Sequence, residues 1–213
     1  MLAKLGKCGY NIHNMNFWGI FVYKLCKTEQ STARQRQLEM GLLAAMQKKR
    51  YEDITISDLC EQLGVPRKSF YRYFSSKDGA LYALIDHTLV EFQLFHDPYL
   101  PGEERTLQKD LEGFFLFWLQ RRSFVEALNK SGLTGILVER AIRYANAEAF
   151  PGRFLPGETR VVQTHVVSFS VCGLMSMMVQ WHQEGFRNSA ADMARVATRL
   201  LSQPLFPYVE QVI

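Results

Sequence analysis

Residues 64–78, GVPRKSFYRYFSSKD, decide how the rest of the chain is read. Four cations (Arg67, Lys68, Arg72, Lys77) and four rings (Phe70, Tyr71, Tyr73, Phe74) fall within this stretch, and no acid precedes Asp78. On a helix of about 100° per residue, Phe70 and Phe74 lie about 40° apart, with Tyr73 about 60° to the other side of Phe70. Those rings make one stripe. Lys68, Tyr71 and Arg72 point the opposite way, with Arg67 and Ser69 at the flanks. So short a helix does not persist alone. The ring stripe is therefore read as its anchor, and the cations with Tyr71 as what it displays.

Charge elsewhere supports that reading. The 213 residues carry a formal net charge of +4. Residues 1–30 hold an excess of three positive charges, residues 31–95 an excess of one, and the remainder none. A basic patch on an otherwise near-neutral chain is the electrostatic footprint of a polyanion partner.

Working outward, residues 55–63 read as a helix opened by a Thr55/Asp58 capping box and ended by Gly64. Ile56, Leu59, Cys60 and Leu63 form its apolar face. Pro66 suits the first turn of the next helix, which runs to about Phe74. Before these, residues 30–50 form an amphipathic helix with Ser31 or Thr32 as cap. After them, Ser76 caps a longer helix over residues 77–95. A helix, a tight turn and a second cation-bearing helix make a helix-turn-helix, whose second helix fits the DNA major groove. Lys77 and Thr55, at helix starts, are candidate phosphate contacts.

Residues 34–84 resemble the DNA-binding domain of TetR-type transcriptional regulators. The signs are a leading amphipathic helix, Ile54-Thr55-Ile56, Gly64-Val65, Phe70-Tyr71-Arg72-Tyr73-Phe74, and Ser76-Lys77-Asp78 with Leu81. The resemblance implies base or backbone contacts from Arg67, Lys68, Ser69 and Tyr71, and phosphate contacts from Thr55, Tyr73 and Lys77; Arg72 joins the set as a displayed cation. Two positions depart from the pattern. Lys68 stands where members often have a small residue, and Pro66 where a Ser is common.

The expected fold is all-α: a three-helix head with a linking helix over residues 29–95, and a helical body over residues 96–213. Residues 96–104 mark the boundary. Body helices are expected over 107–122, 124–129, 133–149, 158–185 and 190–201, with a loop at 150–157. The resemblance implies that the body dimerises and holds a small-molecule effector. Small residues on the 158–185 helix (Ser168, Ser170, Cys172, Gly173, Ser176) suit close helix approach in a dimer interface with the 190–201 helix. Phe114, Phe117, Trp118, Tyr144, His165, Met175 and Met178 are candidate pocket residues, although such side chains at helical spacing also build ordinary cores and His165 reads as a core histidine.

Residues 15–26 are apolar but too short to span a bilayer, and no Ala-x-Ala-like cleavage site follows. Residues 1–28 are accordingly set apart as an extension outside the main fold. The four cysteines show neither Cys-x-x-Cys nor zinc-type spacing, which fits free thiols in a reducing, cytoplasmic setting. No phosphate loop, nucleophile elbow or His-Glu-x-x-His is present. The expectation is a non-enzyme without metal or cofactor, partnered by an operator duplex, a second copy of itself and an effector, with no membrane. The competing class is a helical interaction protein that binds another protein through the same scaffold.

Overall fold

In a computed structural model, residues 22–95, 106–147 and 159–202 are described. The expected boundary at 96–104, the loop at 150–157 and most of the apolar N-terminal stretch lie outside them. Among the described residues every regular element is a helix, apart from one isolated antiparallel bridge between Tyr23 and Phe74.

The head begins with α1 (Glu29–Lys48). Its cap is Thr28, not Ser31 or Thr32. Thr28 and Ser31 form a reciprocal capping box, so Ser31 serves as the third helical residue. Leu38, Leu42 and Met46 recur at four-residue steps and are wholly buried. A 3-10 turn, Tyr51–Asp53, leads to α2 (Ile56–Gln62), capped by Thr55. Gly64 ends α2 at φ +63°. There the Val65 N–H donates to Cys60 O and the Gly64 N–H to Glu61 O, the paired bonds of a Schellman end. Only glycine takes that backbone conformation without strain.

Next, α3 (Arg67–Tyr71) is shorter than the pattern suggested. Pro66 is its N-cap rather than its first helical residue. Past Tyr71 the chain keeps turning, with the Tyr73 and Phe74 N–H groups both donating to Phe70 O. It straightens at Phe74 because the backbone there pairs with another segment. That segment is residues 22–27, which lie against the head as a strap. Lys24 N–H donates to Tyr73 O at 2.7 Å and Ser75 N–H to Val22 O at 3.0 Å. Residues 22–28 are thus part of the head, contrary to their assignment to an outlying extension.

The linking helix α4 (Lys77–Phe95) has its expected bounds, and the Ser76 hydroxyl accepts from Gly79 N–H as its cap. The body comprises α5 (Leu107–Gln120), α6 (Arg122–Lys130), α7 (Thr134–Asn146), α8 (Arg160–Gln183) and α9 (Ala190–Ser202). Helix α5 packs on α9, and α7 on α8, while α1 packs on both α4 and α6. At the end of α8, Gly185 repeats the device used at Gly64: the Phe186 N–H donates to Trp181 O, and the two rings meet at 4.8 Å.

One buried apolar cluster runs from head to body. Polar links cross the same seam. Asp86 on α4, 4% exposed, is held by Arg140 of α7 and by the Tyr23 hydroxyl of the strap. Burial first, and then the Asp86 carboxylate, push the Tyr23 phenol far above its ordinary value. A second network joins α1, α4 and the α5–α6 corner. Arg36 pairs with Glu39 and Glu91, Arg121 with Glu91, and His87 with the fully buried Glu39.

Candidate nucleic-acid interface

Phe70 is 0% and Phe74 1% exposed, their ring centroids 5.1 Å apart. Burying each stabilises the head by about 2–3 kcal/mol and fixes the roll of α3. On the opposite side Arg67, Lys68, Tyr71 and Arg72 are exposed, and Ser69 is half-buried. The Arg67 guanidinium donates to the Tyr71 hydroxyl at 3.3 Å and lies 5.9 Å from its ring centre. This bond holds two displayed side chains side by side. It also raises the Arg67 pKa above its ordinary value.

The remaining expected contacts divide. Thr55 is exposed at the start of α2, its hydroxyl oxygen accepting from Asp58 N–H at 3.1 Å. The Asp58 carboxylate lies 3.9 Å from Lys49 rather than closing the capping box. Tyr73 is 6% exposed and packs on Phe74, so its ring is part of the anchor and is withdrawn from the display. Lys77 is engaged within the protein. Its ammonium donates to Tyr51 O at 2.6 Å, Ile54 O at 2.7 Å and Glu52 O at 3.4 Å, and lies 4.3 Å from the Tyr51 ring centre. Tyr51 in turn donates through its hydroxyl to Asp78, and through its N–H to Ser131 of the body. The ammonium therefore fastens the 3-10 turn to the start of α4, which positions Thr55.

This geometry changes what a Lys77→Ala substitution should do. Losing a charged donor from three carbonyls costs about 2 kcal/mol, so the urea midpoint of the full chain should fall. An unchanged midpoint together with a shallower salt dependence of DNA binding would return Lys77 to a phosphate role.

Sequence reasoning missed the groove beside α3. Lys24, Thr28, Ser31, Arg34, Ser69 and Arg72 are among its lining residues, and it encloses about 670 Å³. Its strap cation, Lys24, fell in a segment set apart as an extension. Among the described residues no three His, Cys, Asp or Glu side chains group to hold a metal ion. The Cys60 thiol is buried, which pushes its pKa up and leaves it a packing group.

In the body, Phe114, Phe117, Trp118, Tyr144, Met175 and Met178 are all buried. The α5 rings meet Phe92 of α4 at 5.1–6.4 Å, and the Tyr144 hydroxyl donates to Gln93. His165 does not join them. It is exposed on α8, its Nδ1 within 2.8 Å of Val161 O, so its reading as a core histidine is corrected. The indole Nε1 of Trp118 is buried with no hydrogen-bond partner among the described residues.

The outer face of α8 carries exposed Val162, His165, Phe169, Cys172, Gly173 and Ser176 at helical spacing, with Phe169 63% exposed. Val196, Leu200 and Leu201 of α9 are also exposed. Among the described residues α8 is the one helix long and apolar enough to cross a membrane. Its other side packs against α7 and α6.

Residues 43–84 match the family described as bacterial regulatory proteins, tetR family. The HTH-type transcriptional regulator EthR of Mycolicibacterium smegmatis is 31% identical over 85 residues, covering 36% of this chain and 39% of that protein. The chain therefore aligns with well under half the length of this relative. Among solved structures, a putative TetR-family regulator from Syntrophomonas wolfei superposes with a TM-score of 0.60 at 14% identity, over 84% of this chain and 100% of that one. A tetR-family regulator from Streptomyces coelicolor gives 0.54 at 17% identity, over 81% and 79%. The dihydroxyacetone kinase operon activator DhaS gives 0.53 at 13% identity, over 80% and 95%. At these identities the structural likeness establishes the all-helical fold.

Proposed function

We propose, from the premise that this chain is a TetR-family transcriptional regulator with an N-terminal helix-turn-helix domain, that it is an effector-responsive dimeric repressor. The observation that carries the DNA contact is the division of α3: Phe70 wholly buried, Arg67, Lys68, Tyr71 and Arg72 exposed on one short helix. In this reading Arg67 and Lys68 reach base edges in the major groove, and Tyr71 packs against the sugar-phosphate edge. Ser69, Arg72 and Thr55 bond phosphates, which fix register without reading sequence. The cellular setting is the cytoplasm, where the operator lies.

Dimerisation through α8 and α9 is supported by the exposed apolar stripe centred on Phe169. A helix pair from each subunit would close it as a four-helix bundle. That arrangement also gives the apolar length of α8 a use without a bilayer. Two heads then read two half-sites of a near-palindrome. An effector is supported by the orphan Trp118 donor amid the rings of α4 and α5, since an unpaired buried donor favours a ligand that supplies an acceptor. The ligand would be apolar and aromatic-compatible, with one hydrogen-bond acceptor. Its binding would shift the population of head spacings, and so operator affinity.

Selection of bound duplexes from a random pool tests this directly. A two-fold motif is expected from the wild type. Phe169→Glu should leave the fold intact, because the side chain is exposed, while the protein sediments as a monomer and loses the two-fold motif. Recovery of no sequence, with weak binding indifferent to salt, would favour the protein-binding alternative.

A further inference from the structure

The groove beside α3 carries charge from three separate elements: Lys24 of the strap, Arg34 of α1 and Arg72 at the end of α3. Among the described residues no carboxylate lines it. All three cations are exposed. Arg34 gives one N–H to Gln37 at 2.7 Å, leaving the rest of its five donors without a partner among the described residues. The backbone amides at the start of α1 do not define the site, because Thr28 already caps them. Two features make the groove a built surface. It is continuous with the recognition helix, since Ser69 and Arg72 belong to both. Its strap wall is also fixed by backbone hydrogen bonds, with Lys24 N–H on Tyr73 O and the Val22 carbonyl accepting from both the N–H and the hydroxyl of Ser75. The Tyr23 hydroxyl on buried Asp86 pins the strap from its other side.

We infer that this groove is a track for the DNA sugar-phosphate backbone beside the recognition helix, with Lys24 and Arg34 as phosphate-binding residues. The inference rests on the DNA-binding reading above. It extends the footprint from one helix to a strap, a helix start and the recognition helix together. The occupant is a polyanionic strand. Three cations without an acid attract phosphates, and the groove opens from the same surface as the base-reading side chains. Contacts of this kind carry no sequence information, so the strap should add affinity equally to all duplexes.

Gly79 provides a handle that removes no charge. A Cβ placed there would lie 2.2 Å from the Val22 carbonyl oxygen, so the strap approaches α4 as closely as glycine permits. Alanine at that helical position must push the strap away.

Full-length protein is titrated with a duplex carrying its selected motif, and with a scrambled duplex, across a salt series. Lys24→Ala and Arg34→Ala should each lower the slope of log affinity against log salt by about 0.9, weakening both duplexes alike. Lys24→Arg should behave as wild type. Lys24 bonds the head through its backbone, so neither change at that position threatens folding. Gly79→Ala should reproduce the Lys24→Ala loss with every cation still present, and should speed hydrogen exchange at the Lys24 amide. If wild type binds and Lys24→Ala and Arg34→Ala keep its affinity and slope, the track is refuted and the regulator reading stands. If the wild type binds no duplex in a salt-dependent way, the reading beneath it fails as well.

Discussion

Phe70→Ala should be the most damaging single change in the head, costing about 3–5 kcal/mol. The ring is wholly buried, touches Phe74 and Tyr71, and supplies most of the apolar surface by which α3 is held. Folded domains are stable by only about 5–15 kcal/mol in total. The loss should therefore appear as a large drop in urea midpoint. DNA affinity should fall even where the body remains folded, because Arg67, Lys68 and Tyr71 keep their orientation only while α3 is anchored. Phe70→Leu, which retains most of the volume, should recover much of both. A Phe70→Ala protein whose unfolding free energy stays within about 1 kcal/mol of wild type would show that α3 is held by something other than its ring stripe.

The second large effect is expected at Arg140. Removing it leaves the Asp86 carboxylate buried with, among the described residues, the Tyr23 hydroxyl alone, and an uncompensated buried charge costs about 3–5 kcal/mol. Arg140→Ala should thus destabilise far more than a surface arginine would, and it should loosen the strap through Tyr23. Replacing both partners separates charge from shape. Asp86→Asn combined with Arg140→Met removes the ion pair, keeps an acceptor for Tyr23, and should be much milder than Arg140→Ala alone. Equal damage from the single and double variants would mean that the stacking of the Arg140 guanidinium over the Tyr82 ring, 4.7 Å from its centre, is what matters.

What could be read in the sequence follows from what is local. The α2 cap at Thr55, the glycine turn at Gly64, the Ser76 cap and the span of α4 depend on residues within a few positions of one another. The division of α3 into buried Phe70 and exposed Arg67, Lys68 and Tyr71 also depends only on helical phase. The strap was not legible because its pairing is made by backbone atoms about 50 residues apart, which no side-chain pattern encodes. The partners of Lys77 are likewise main-chain carbonyls, so a lysine at a helix start read as a free cation. Tyr73 was ambiguous because a ring that completes an apolar stripe can still offer a hydroxyl outward; here the ring is buried. His165 was misplaced for a different reason. Helix α8 is apolar on nearly every side, so phase within it cannot tell the face packed on α7 from the face exposed.

The linking helix belongs to both halves of the molecule, and its length has a mechanical consequence. Helix α4 has 19 residues, which at about 1.5 Å of rise each make a rod about 28 Å long. A tilt of about 5° at the body end would carry the other end through about 2.5 Å, and two such rods in a symmetric pair would change the gap between heads by up to about 5 Å, against a half-site separation of about 34 Å. A displacement too small to disturb the packing around Trp118 would then suffice to put two recognition helices out of step with successive turns of a duplex.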